Sequence, residues 1–139
     1  MNFKIKYVLL FIFIFTCSAL SQEKLTEIDS LYKICIDKNP STQGVIHCAG
    51  IAEESWDKEM NKYYKLLMDV LKDDEKTKLK DSQLKWVAFR DSEFDFSGTM
   101  NYNLGGTMWL VANADKRADI VKARALELKD YYTNQTEGE

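Results

Sequence analysis

The chain has 139 residues, enough for one domain, with 19 basic and 22 acidic side chains and a formal net charge of −3. That balance argues against nucleic acid or an anionic membrane as a partner, and mildly favours a basic one. Lys4 and Lys6, the apolar run Tyr7 to Phe15 and the small residues of Ala19-Leu20-Ser21 read as a secretory signal peptide over residues 1–21. Its apolar stretch falls short of the about 20 residues a membrane span needs, and no later segment is apolar enough. Removing the leader takes the net charge to −5. Lipid anchoring through Cys17 is the weaker alternative, because Ile14-Phe15-Thr16 lacks the small residues such a cleavage site favours.

The expected mature chain is all-α: helix formers dominate, Pro40 is the only proline, and no stretch alternates apolar with polar residues long enough for a sheet. A first helix is expected from Glu23 to about Lys38, broken by Asn39-Pro40-Ser41-Thr42. A second runs from near Gly44 to Lys72, with Val45, Ala49, Ala52, Trp56, Met60, Tyr63, Leu67 and Val70 as its apolar stripe. Cys35 and Cys48, the pair left after export, most economically form one disulfide clamping these two helices.

Asp73-Asp74-Glu75 opens a third helix, which continues through Leu79 and Trp86 toward Ser97. Gly98, Asn101, Asn103 and Gly105-Gly106 then predict an irregular connection. A fourth helix runs from about Met108 to Tyr132, with Val111, Ala114, Ala118, Val121, Ala125, Leu128 and Tyr132 on one stripe. The expected architecture is a small antiparallel bundle of about four helices with one disulfide, a domain over 22–133, and a frayed polar tail over 134–139.

One stripe needs explaining. Leu79, Gln83, Trp86 and Arg90 share a face of helix three that should point inward, yet it carries an amide and a guanidinium. With the short acidic turn as a pivot, Tyr64 falls opposite Gln83, Asn61 opposite Trp86 and Asp57 opposite Arg90. The reading is a buried polar seam: Asp57 pairs with Arg90, while Asn61, Gln83 and Tyr64 complete one another's hydrogen bonds.

"WDKEMNKYYKLL" (56–67), "LKDSQLKWVAFRD" (79–91), "LGGT" (104–107) and a later Arg124 resemble the family of the LprI-like lysozyme-inhibitor N-terminal domain. The matching positions are Asp57, Asn61, Tyr64, Gln83, Trp86, Arg90, Gly105, Gly106 and Arg124, with Cys35 and Cys48 as the leading cysteine pair. The resemblance implies a small exported or lipid-anchored helical domain whose partner is a lysozyme-like protein. The family often carries a second cysteine pair, at whose places this chain has Phe94 and Lys116.

The function this resemblance implies is a non-catalytic binding protein that occludes the cleft of a lysozyme-like muramidase, where two carboxylates do the chemistry. Its candidate partner-binding loop is Gly98 to Trp109, with Asn101, Tyr102, Asn103 and Trp109 offering amides and aromatics. The alternative is a structural or interaction module of the cell envelope with a different partner. An enzyme is disfavoured: His47 is the lone histidine, no cysteine, histidine and carboxylate cluster has metal spacing, and Glu53 with Asp57 is an ordinary like-charge surface pair. No cofactor is expected, and the sequence leaves the oligomeric state open.

Overall fold

The computed structural model describes residues 27–137; the signal peptide expected over residues 1–21 and the start expected for the first helix at Glu23 lie outside them. Among the described residues there are four helices and no strand: α1 (Glu27–Lys38), α2 (Thr42–Val70), α3 (Asp73–Leu104) and α4 (Thr107–Glu137).

Each break has a local cause. The α1–α2 turn holds Asn39-Pro40, and Ser41 caps α2 by accepting the Gly44 N–H at 3.1 Å. Gly44 sits so close to Asn39 that a Cβ there would lie 2.4 Å from the Asn39 carbonyl oxygen, so this turn requires glycine. Cys35 and Cys48 are bonded across it, with Cα atoms 5.7 Å apart.

Only Leu71 and Lys72 separate α2 from α3, and the Glu75 carboxylate accepts the Lys72 N–H at 3.0 Å. Asp73, Asp74 and Glu75 place three carboxylates in the first turn of α3, where the helix dipole favours them. Gly105 and Gly106, both at positive φ (71° and 86°), turn the chain into α4.

The helices are long, about 43 Å for α2 and 48 Å for α3 at 1.5 Å per residue. Because α3 carries the chain back along the bundle, α2 and α4 run parallel, and they form the most closely packed pair. Trp56, Met60 and Leu67 of α2 meet Val121, Ala125 and Leu128 of α4 in the core, edged by Tyr64, Leu79, Trp86 and Phe94. Such an interior, sealed from water, supplies most of the driving force for folding.

α1 buries no residue of its own. It lies antiparallel to α4, held by an ion pair from Lys122 to Asp29 (2.7 Å) and a hydrogen bond donated by Tyr32 to Asp115. Burial, and then that bond to the Asp115 carboxylate, push the Tyr32 phenol above its ordinary pKa.

Two expectations are corrected. The third helix does not stop near Ser97 but continues through Gly98 to Leu104, so no loop spans Gly98 to Trp109. Ser97 is fully buried, and Asn101 is buried and donates to Asn113 of α4 at 3.4 Å. Small and polar residues thus face a close helix crossing, and tertiary packing overrides their poor helix propensity. Nor are residues 134–137 a frayed tail, since α4 runs to Glu137.

Candidate functional site

The inner face of α3 carries Leu79, Gln83, Trp86 and Arg90, as the spacing predicts, and extends the line through Phe94, Ser97 and Asn101. What meets it differs from the expected seam. Gln83 gives its carbonyl oxygen to Arg124 of α4, whose Nε donates at 3.0 Å, and its amide nitrogen lies 3.5 Å from the Met60 sulfur. Arg124 is only 6% exposed. Its remaining nitrogens reach the Glu127 carboxylate at 2.5 Å and the Ser82 hydroxyl at 3.3 Å. A guanidinium so buried is tolerable because each of its nitrogens has an acceptor.

Asn61 does not join the seam. It is exposed and donates along its own helix to the Asp57 carbonyl and carboxylate (2.8 and 2.9 Å). Tyr64 packs at the edge of the core. Asp57 and Arg90 approach to 3.9 Å, the limit of an ion pair, whereas Arg90 binds the neighbouring Asp91 at 2.6 and 2.9 Å. Rings also flank Arg90: its guanidinium lies 5.5 Å from the Trp86 centroid and 5.9 Å from that of Phe94.

A second arginine completes this layer. The Arg117 guanidinium of α4 lies 4.4 Å from the Phe94 ring centroid and forms a double hydrogen bond with Glu53 of α2 at 3.1 Å per contact. Glu53, Asp57, Arg90 and Val121 line an open depression of about 310 Å³ between α2 and α3. Nothing in the sequence alone linked Glu53 to Arg117, since the two are 64 residues apart. Arg124 could be found, because Arg117, Val121, Arg124 and Leu128 repeat at helical spacing on the buried stripe of α4.

Where the family often has its second cysteine pair, this chain uses other bonds between α3 and α4. Phe94 packs against the core under Arg90 and Arg117, and Lys116 pairs with Glu93 at 2.5 Å.

The four candidate binding residues fall at the α3–α4 hairpin end. Asn101 is turned inward onto Asn113, and Trp109 is half-buried on the first turn of α4. Asn103 is exposed, and Tyr102 is 77% exposed. The structure therefore offers Tyr102 and Asn103 outward and uses Asn101 and Trp109 to build the hairpin. Among the described residues no group of histidine, cysteine and carboxylate side chains could hold a metal ion, and no helix is long and apolar enough to cross a membrane.

The fold and its polar seam define a small all-α domain clamped by one disulfide. The lysozyme inhibitor LprI family matches residues 35–128, and the chain belongs to that family. Among solved structures, an uncharacterized protein from Burkholderia thailandensis is similar, with a TM-score of 0.75 and 28% sequence identity over 80% of this chain. The match covers 55% of that protein's chain. No functionally curated protein matches the sequence.

Proposed function

We propose that the protein is an exported, non-catalytic inhibitor of a lysozyme-like muramidase. Membership of the lysozyme inhibitor family over residues 35–128 carries this reading. Export agrees with the Cys35–Cys48 bond, since disulfides persist in oxidising compartments, and with the leader pattern of residues 1–21.

Inhibition needs no chemistry from the protein. A muramidase cleft holds two carboxylates, and the α3–α4 hairpin end carries hydrogen-bond donors at its surface. Tyr102 and Asn103 sit on the last turn of α3, fixed from behind by the Asn101–Asn113 bond and the Gly105-Gly106 turn. A preorganised helical tip loses less entropy on binding than a flexible loop. In this reading the Tyr102 hydroxyl and the Asn103 amide enter the cleft and displace the water that hydrolysis requires.

The test is lysis of a Gram-positive cell suspension by several lysozymes in the presence of increasing protein, with a parallel binding titration. Saturable inhibition with matching affinity is expected, weakened by Tyr102→Ala. Absence of binding to every lysozyme tested would instead favour an envelope interaction module with another partner.

A further inference from the structure

The α1 helix is attached to the bundle rather than built into it. The core is drawn from α2 and α4, and among the described residues Ile28 is the one α1 side chain packed against it. Leu31 and Ile34 are turned outward, 58% and 48% exposed. Inward, α1 presents polar groups: Asp29 meets Lys122 at 2.7 Å, and the Tyr32 hydroxyl donates to Asp115. The Lys122 ammonium in turn lies 5.6 Å from the centre of the Trp56 ring of α2, a residue only 5% exposed.

Beneath α1 the packing is incomplete. Asp29, Tyr32, Trp56, Ala118 and Lys122 border a depression of about 240 Å³, and Glu27, Ile28, Trp56, Tyr63 and Leu126 border another of about 260 Å³. Trp56 is a wall of both, so α1 bridges a groove between α2 and α4 that continues past this indole in both directions. The other end of α1 is fixed. Cys35 is bonded to the buried Cys48, the Asn39 side-chain amide donates to the Cys35 carbonyl at 2.9 Å, and Gly44 closes tightly on Asn39. A helix of 12 residues is marginal in water by itself. Segments with few buried apolar contacts open at a lower free energy than the core they cover.

We infer that α1 is a hinged lid, whose Glu27 end lifts off α4 about the Cys35–Cys48 bond while α2, α3 and α4 stay folded. Closed, the lid screens Trp56, with the Asp29–Lys122 and Tyr32–Asp115 contacts as its latches. Open, it joins the two depressions into one groove floored by Trp56 and Tyr63, between the small side chains of Ala52, Ala118 and Ala125. The disulfide holds the lid beside the groove, so closure is an intramolecular event. The device lies apart from the α3–α4 tip and does not rest on the inhibitor reading.

Trypsin reports the opening, because Lys33 is exposed in the middle of α1 and a helix must unfold locally before a protease can cut it. The protein with its disulfide intact is digested under native conditions as wild type and as Asp29→Asn/Tyr32→Phe, which removes both latches at nearly constant side-chain size. Mass spectrometry should show cleavage after Lys33 before any cut within α2, α3 or α4, and at least about tenfold faster in the double variant, with a product that keeps a cooperative melt. Cleavage after Lys33 and within α2 to α4 at one rate, with one urea dependence, would overturn the lid, since α1 would then open only with the whole bundle. An unchanged rate in the double variant would refute the latches. Hydrogen exchange of the uncut wild type is the second measurement: the amides of Leu31 to Cys35 should exchange at least about tenfold faster than those of Trp56 to Leu67, and equal rates would overturn the lid without recourse to any variant.

Discussion

Replacing Arg124 tests whether the polar seam holds α3 against α4. In Arg124→Met the stem is retained and the guanidinium removed, which leaves the Gln83 carbonyl oxygen without its donor. A hydrogen bond to a charged group contributes roughly 1.5–3 kcal/mol. The Glu127 ion pair adds only about 0.3–0.5 kcal/mol, because that carboxylate is 46% exposed and one helical turn away. The Ser82 contact, at 3.3 Å to an exposed residue, adds little. Relief of burying the charge offsets part of this, so the expected loss is about 2 kcal/mol, or roughly 8 °C in Tm for a domain of this size. Arg124→Ala also strips the aliphatic stem, and at about 0.8 kcal/mol per buried methylene the loss should exceed 3 kcal/mol. Thermal and urea unfolding of both variants, and of a double-mutant cycle with Gln83→Ala, measure these values. A coupling energy near zero, or an Arg124→Met melting point within about 2 °C of wild type, would show that the seam does not join the helices as described.

Mass spectrometry of the unreduced protein should detect no free thiol at Cys35 or Cys48, and Cys35→Ser/Cys48→Ser should lose about 3 kcal/mol, the value of a short disulfide loop; two free thiols would contradict the bonded pair. Because Tyr32 titrates above its ordinary value when folded, its contribution is complete below the unfolded phenol pKa of about 10 and is lost as pH rises beyond it. Wild type should therefore lose more stability than Tyr32→Phe between about pH 9.5 and 11.5, and parallel curves would dissociate Tyr32 from the Asp115 bond. Gly105 has φ 71° and ψ 156°, a region essentially closed to side chains. Gly105→Ala should cost about 1–3 kcal/mol although no atom lies within 4 Å of the added methyl, and an unchanged melting point would mean the turn relaxes freely.

Much of the architecture was legible in the sequence because helices report themselves locally. The Asn39-Pro40 break, the acidic start at Asp73, the inward stripe of Leu79, Gln83, Trp86 and Arg90, and the cysteine pair follow from capping, dipole and periodicity, which involve neighbours a few residues apart. The end of α3 did not follow. Gly98, Asn101 and Asn103 are poor helix formers in isolation, and only the burial of Ser97 and the Asn101–Asn113 bond keep the helix intact past them.

The partner of the α3 stripe was likewise a tertiary decision. The sequence determined that Gln83 and Arg90 face inward, and hence that buried acceptors and donors must be met there. Which helix meets them depends on how three long rods share one core. α2 and α4 pack closest through alanines and a leucine at Ala49, Ala52, Ala118, Ala125 and Leu128. Gln83 is consequently bound by Arg124 of α4, while Asn61 of α2 is left at the surface. Helix faces are set by a period of 3.6 residues; their pairing is set by side-chain volume summed over residues far apart in the chain, and that no local pattern contains.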